Sequence, residues 1–330
     1  MAKRYCVVWS VVILLASSVN ADVDLGSRRV TIRRLDGKLR VEIGGKLFTE
    51  YVYQGQGKPI LYPIVGPTGA AITRNYPMKP EVKGEANDHP HHRSLWFSHG
   101  LVNGTDFWHE GKETGKQLQE AILEVESGTE RGRIKTKNRW VKKDGTIVCT
   151  DERELTFFEV EGGRVIDVKV TVHASHGEIV FGDTKEGTMG IRTHPLMRLR
   201  KDERRGVFVV KGKAINSRGH KNGELWGKRA EWVDYWAPSE GQTTGIAIFD
   251  HPKNPRHPTW WHARDYGLIG ANPFGVHDFE GKKAGTGDLK VATGTSRVFR
   301  YRFYFHRGDS RAAKTAKLYA EFARAESGAK

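Results

Sequence analysis

The stretch Arg297-Val298-Phe299-Arg300-Tyr301-Arg302-Phe303-Tyr304-Phe305 decides the fold class. Val298, Arg300, Arg302 and Tyr304 alternate with Phe299, Tyr301, Phe303 and Phe305, and a pleated strand turns that period of two into one buried and one wetter face. A helix would scatter the four aromatic residues around its circumference. The same period recurs in residues 165–172, where Val168, Val170 and Val172 oppose Lys169 and Thr171. Near the start, Val30, Ile32 and Leu35 lead into Asp36-Gly37, a strong hairpin signal, and Leu39, Val41 and Ile43 return from it. Further strands are expected at 47–53, 133–142, 146–160, 207–215, 231–236 and 244–249. Only 310–326 reads as a helix, with Ala313, Ala316, Leu318, Ala320 and Phe322 at helical spacing. There is no internal repeat, low-complexity linker or break in composition. The expectation is an all-β fold, one large antiparallel β-sandwich spanning residues 22–330 with a C-terminal helix.

The first 21 residues read as a signal peptide. Lys3 and Arg4 precede a largely apolar run over 7–16, and Val19-Asn20-Ala21 supplies the small residues of a cleavage site. The run is too short for a comfortable bilayer span, and no later stretch approaches one. The mature chain is therefore expected outside the cytoplasm, periplasmic or extracellular, with no membrane span. Cys6 falls in the signal and leaves Cys149 alone, so no intrachain disulfide can form. Cys149 lies in an apolar run and reads as a small buried hydrophobe. The formal charge of +15 falls by two with the signal removed. Its basic residues are interleaved with acids, which points to a solvated basic surface and to no specific nucleic-acid partner. Weak attraction to anionic glycans is compatible with it.

Residues 66–128 show little regular periodicity, and long segments of that kind in a compact fold are usually functional. Within them, Asp88-His89-Pro90-His91-His92-Arg93-Ser94-Leu95-Trp96-Phe97-Ser98-His99-Gly100 continues through Asp106 to Trp108-His109-Glu110. Residues 88–110 hold five of the fourteen histidines with two Trp, one Arg and three carboxylates. A core could not bury so many titratable groups unpaired. Three other segments are polar and aromatic without strand period: 73–78, 181–187 followed by Arg192, and 249–275 with Trp260-Trp261-His262-Ala263-Arg264-Asp265-Tyr266-Gly267 and Asn272-Pro273-Phe274-Gly275.

The order of Arg74-Asn75-Tyr76-Pro77-Met78, the 88–93 run, Asn103-Gly104 to Phe107-Trp108, Glu186-Gly187, Trp226-Gly227-Lys228-Arg229 to Trp232-Val233-Asp234, Ile248-Phe249-Asp250-His251-Pro252 and Asn272-Pro273-Phe274-Gly275 resembles the PmoA-like group of exported bacterial proteins. The resemblance covers nearly all of the mature chain. The name "methane oxygenase" attached to that group conflicts with the sequence, because the membrane enzyme is built of spanning helices and this chain has none. The resemblance implies a fold similar to galactose mutarotase-like supersandwiches, whose members bind and process sugars, some with a His and a Glu sharing proton transfer at the anomeric centre.

Sugar sites combine flat aromatic faces with Arg, Asn, Asp and His for the hydroxyl groups. The expected partner is a carbohydrate or sugar-derived ligand. His92, Glu186, His262 and Asp265 are the candidate acids and bases, of epimerase, hydrolase or lyase type, Glu186 with Asp265 being the pair a glycoside hydrolase would need. Arg74, Arg93, Trp96, Trp108 and Asn272 are the candidate substrate-binding residues. No cofactor is implied, although Asp88, His89 and His91 offer an alternative ligand set for a divalent transition metal and hence for oxidoreductase chemistry. A non-catalytic glycan-binding protein is the other alternative. Structural roles compete at several positions: a turn lock for Asn272–Gly275, core anchors for Trp226 and Trp232, and a buried polar network for the histidine run.

Overall fold

The structure, a computed structural model, describes residues 28–203 and 210–325 together with Met1. The expected signal peptide and part of the 207–215 strand lie outside the described residues. Two antiparallel eight-stranded sheets face each other. In spatial order the first holds β1 (Val30–Leu35), β2 (Lys38–Ile43), β3 (Lys46–Val52), β4 (Ile60–Ile64), β5 (Leu95–His99), β11 (Gly187–Arg192), β16 (Leu268–Asn272) and β15 (Trp260–Ala263). The second holds β12 (Lys213–Asn216), β13 (Trp232–Ser239), β14 (Gln242–Asp250), β18 (Ser296–Arg307), β9 (Gly163–His173), β8 (Ile147–Val160), β7 (Arg131–Val141) and β6 (Lys116–Glu126). A small pair, β10 (Ile179–Phe181) and β17 (Leu289–Val291), stands apart. The helices are α1 (Val276–Glu280) and α2 (Thr315–Ala325).

The alternation that decides the fold class does what its period requires. Phe299, Tyr301, Phe303 and Phe305 of β18 enter the main core between the sheets, each large side chain contributing about 1.5–3 kcal/mol by leaving water. The opposite face packs outward: Tyr304 joins Phe158, Trp232, Phe249 and Phe322 beneath α2. Arg302 grips Asp167 through two hydrogen bonds of 2.6 and 2.8 Å. Cys149 is buried in the core and its thiol is pushed up by that burial, as a small hydrophobe should be.

Two sequence expectations change. Inside the stretch that lacks period, β6 is a full strand at the sheet edge, but register shifts at Gln119/Ala121 and Ile122/Glu124 break its alternation. Helix α2 begins at Thr315 rather than near 310, because Asp309 closes a turn on the amides of Arg311 and Ala312 and Lys314 sits at φ 54. Thr315 Oγ1 then donates to the buried Asp234, tying the helix start to β13. Among the described residues, no helix is long and apolar enough to cross a membrane.

The segments read as irregular and polar also contain strands. β5, β11 and β16 are inner strands of the first sheet and β15 is its edge strand; all four are buried on both faces, so they show no polar alternation. Their inner face supplies Phe97, Met189, Ile191, Trp261 and Ile269 to the main core. Their outer face carries the candidate site.

Candidate functional site

One register row crosses that outer face. Ile60 pairs with Trp96, Trp96 with Gly190, Gly190 with Gly270, and Gly270 with His262. Two neighbouring glycines thus leave bare backbone between an indole and an imidazole. A Cβ on Gly190 would lie 2.8 Å from Trp96 and 3.1 Å from Trp108. On Gly270 it would meet the Gly187 carbonyl oxygen at 2.9 Å. Trp96, Trp108, Ile60 and Leu268 form a separate apolar cluster on this face, with Tyr266 packed at its edge.

Above the row, side-chain contacts run in a continuous chain. His109 lies 4.4 Å from His91, His91 4.4 Å from His92, His92 stacks on His89 at 4.7 Å, and His89 stacks on Tyr266 at 5.2 Å. Arg264 lies over Tyr266 and Trp226, Trp226 meets Phe279, and Phe279 meets His262. His262 Nδ1 donates to the Lys185 carbonyl at 2.8 Å. The next residue, Glu186, is near enough to His109 and Tyr266 to influence the titration of both.

The histidine loop is held in place by guanidinium groups. Arg74 Nη1 donates to the carbonyl of Ala86 and to Asp88 Oδ1, and Nη2 to the carbonyls of Asp88 and His89. Arg192, at the outer-facing end of β11, donates to Asp88 Oδ1 at 2.9 Å and to His92 Nδ1 at 3.1 Å. Burial alone would raise the Asp88 carboxyl, but His89, Arg192 and Arg74 outweigh it and hold the group far below the carboxylate range.

Those contacts fix protonation states. His92 accepts from a guanidinium at Nδ1, so its proton is on Nε2. Burial, then His91 and Arg192, push it well below the usual imidazole value, so it is neutral at pH 7. His91 is lowered to about 3, chiefly by burial and then by His109 and Lys58. His262 falls to about 4 through burial, and with Nδ1–H spent on Lys185 its Nε2 is an acceptor. His109 behaves oppositely. Its Nδ1 donates to Asp106 Oδ2 at 2.7 Å, the main reason it is raised, while burial opposes. Asp106 is fixed in turn by the amides of Trp108 and His109 on Oδ1. The chain of contacts therefore holds neutral imidazoles beside one that protonates readily.

His92 and His262 lie on this outer face, Glu186 follows the Lys185 carbonyl that His262 holds, and other predicted residues have different work. Arg74 is 1% exposed and spends both terminal nitrogens on the loop, so it builds the site and has no donors left there for a sugar. Arg93 clamps Glu110 through Nε, beside the buried Lys58. Trp96 and Trp108 are at most 1% exposed, which makes them floor rather than stacking faces. Asn272 is a turn lock: Oδ1 accepts from the amides of Phe274 and Gly275, and Nδ2 donates to the Thr184 carbonyl. Asp265 faces Arg200 at 3.2 Å. Asp88, His89 and His91 are not a metal set, because Asp88 Oδ1 is taken by two guanidiniums whose charge opposes a cation. Among the described residues no group of three His, Cys, Asp or Glu side chains is placed to hold a metal ion. His99 serves the core, bonded to the Gly182 carbonyl.

The sequence did not single out His109, Tyr266, Arg264, Trp226 or Phe279 of these ring contacts, nor Arg192 behind them, as site residues. For Arg192 a signal existed, since Gly187-Thr188-Met189-Gly190-Ile191-Arg192 alternates once Met189 and Ile191 are taken as core. For His109 it was Asp106 three residues before.

A family of unknown function, DUF6807, matches residues 38–320. The chain belongs to the DUF6807 family. The PmoA-like label drawn from the motifs finds no support in that match. No curated protein matches the sequence. Solved structures similar in chain course include a galactose mutarotase-like protein from Lactobacillus casei, at 7% identity and TM-score 0.39, covering 84% of this chain and 100% of that one. A mutant of the heparan sulfate lyase HepC from Pedobacter heparinus has 9% identity and TM-score 0.38, with 86% of this chain covered but only 36% of the lyase. A glycoside hydrolase family 97 enzyme from Pseudoalteromonas sp. strain K8, in complex with acarbose, has 10% identity and TM-score 0.34 over 86% of this chain and 34% of that one. Likeness of that degree carries no argument about this DUF6807 chain, and its function has to come from the residues of the site.

Proposed function

We propose that this protein is exported and binds a carbohydrate or sugar-derived ligand over the Gly190–Gly270 floor, acting on it by acid–base chemistry. The observation that carries this reading is the pairing of unlike titratable groups in one chain of contacts. Asp106-bound His109, raised toward its charged form, lies within electrostatic reach of the Glu186 carboxylate, with neutral His92 and His262 beside them. An imidazole raised toward its charged form beside a carboxylate offers a donor and an acceptor of protons.

In this reading His109 gives a proton through Nε2 and Glu186 takes one. His92 donates a hydrogen bond through Nε2–H without titrating, and His262 Nε2 accepts from a hydroxyl group. Gly190 gives the Trp96 and Trp108 indoles room to lie close against the sheet, where they exclude water. The test is thermal unfolding of the purified protein against a panel of mono- and oligosaccharides. A ligand at a hundred times its Kd should add about 2.7 kcal/mol. His109→Gln and Glu186→Gln should retain that stabilisation and lose turnover, and absence of a shift with every sugar would refute the reading.

A further inference from the structure

The other cations near the cleft have carboxylates. Arg74 and Arg192 share Asp88, Arg93 and Lys58 share Glu110, and Lys185 lies 3.5 Å from Glu186 and 3.7 Å from Asp278. Arg264 differs. It is half-buried on β15–β16's connecting turn, yet among the described residues its guanidinium meets no hydrogen-bond acceptor and no carboxylate. It lies instead against the rings of Tyr266 at 5.6 Å and Trp226 at 6.0 Å. Contact with ring faces steadies a guanidinium and consumes none of its N–H donors, which remain free for a planar anion.

Its place in the chain of contacts matters as much as its missing partner. Arg264 stands between two aromatic residues of that chain and close enough to His262 to depress that imidazole. A half-buried guanidinium with unused donors on this face has room for an anion, and a carboxylate can meet two of its N–H groups at once.

We propose that Arg264 recognises the carboxylate of an acidic sugar, so that the ligand class is uronic acids and their glycosides rather than neutral hexoses. This rests on the sugar reading above and adds a charge requirement to it. Tyr266 and Trp226 hold the guanidinium on edge, and the adjacent His262 Nε2 takes a hydroxyl group of the same sugar. The strongly basic balance of the chain, +15 formally, would steer an acidic ligand toward the protein at low salt.

The experiment compares D-glucuronate, D-galacturonate and their short oligosaccharides with the matching neutral hexoses and with hexose 6-sulfates, by calorimetry on the purified protein. Uronates are expected to bind at least tenfold more tightly than their neutral counterparts, with an affinity that falls as salt rises. Arg264→Gln should erase that preference while leaving neutral-sugar affinity within about threefold, and Arg264→Lys should restore only part of it. An unchanged melting temperature in the absence of ligand, for either variant, shows the fold is kept. Should Arg264→Gln fail to fold, Trp226→Leu, which frees the guanidinium from one ring, must lower uronate affinity and spare the neutral sugars. Equal binding of uronates and hexoses, or a preference for sulfates, overturns the inference and leaves the sugar reading standing. Binding of none of these sugars removes both.

Discussion

Replacing Asp88 with Asn removes the charge on which the histidine loop depends. Asp88 Oδ1 accepts from Arg74 at 2.6 Å and from Arg192 at 2.9 Å, and both guanidinium side chains are 2% exposed. The carboxamide can still accept one of those bonds, but two buried cations then face each other without a counter-ion. Arg192 already titrates near 9, lowered by burial and by Arg74, and Asp88 is the first group that restores it. Breaking a buried ion pair from one side costs about 3–5 kcal/mol. For a chain of this size that corresponds to roughly 6–10 °C in Tm. The sign with pH is also fixed. A carboxyl held below its unfolded value contributes stability above about pH 4 that is lost as pH falls toward the folded value. The acid limb of the stability curve should therefore flatten in Asp88→Asn. Urea unfolding followed by circular dichroism at pH 7 and pH 3 measures both effects. A loss below about 1 kcal/mol at pH 7 would refute the claim that Asp88 is the keystone of the loop.

Gly270→Ala should cost about 1–3 kcal/mol of stability and weaken ligand binding, because its Cβ would lie 2.9 Å from the Gly187 carbonyl oxygen on the cleft floor; chemical denaturation and a ligand titration read the two effects. Lys58, 1% exposed, is lowered to about 8 by burial despite Glu110. The unfolded chain holds that proton up to about 10.5, so stability should rise by about 3 kcal/mol between pH 8 and 10.5, and Lys58→Met should abolish the rise. His306 is raised because Asp234 outweighs burial. Its contribution is complete below about pH 6.5 and lost as pH climbs through the folded value, so amide exchange at the start of α2, which Thr315 ties to the same Asp234, should accelerate at alkaline pH.

The fold was legible where strands have one wet face. β18 and β9 show period two because polar side chains such as Lys169, and Arg302 paired with Asp167, occupy one side while the aromatic and valine faces enter the main core. It was illegible where strands are covered twice, as in β5 and β11, and where bulges break the period, as in β6. The site divides on similar lines. Density of His and Trp marked the right loop, but composition does not tell an arginine that faces a ligand from one that holds backbone carbonyls. Arg74 does the second and Arg264 has its donors free, although both are single arginines among aromatic residues. Nor does sequence show that Gly190 and Gly270 lie side by side, since 80 residues separate them and only the register joins them.

The central claim is that a sugar sits against the histidine loop. Histidine imidazole nitrogen resonances, recorded while the best stabilising sugar is titrated in, test it directly. Free His92 should stay Nε2-protonated and neutral at pH 7, His109 should titrate above 6.5, and both Nε2 signals should move on binding. Binding that leaves His92, His109 and His262 unshifted, or a His92 that becomes charged above pH 6, would contradict it.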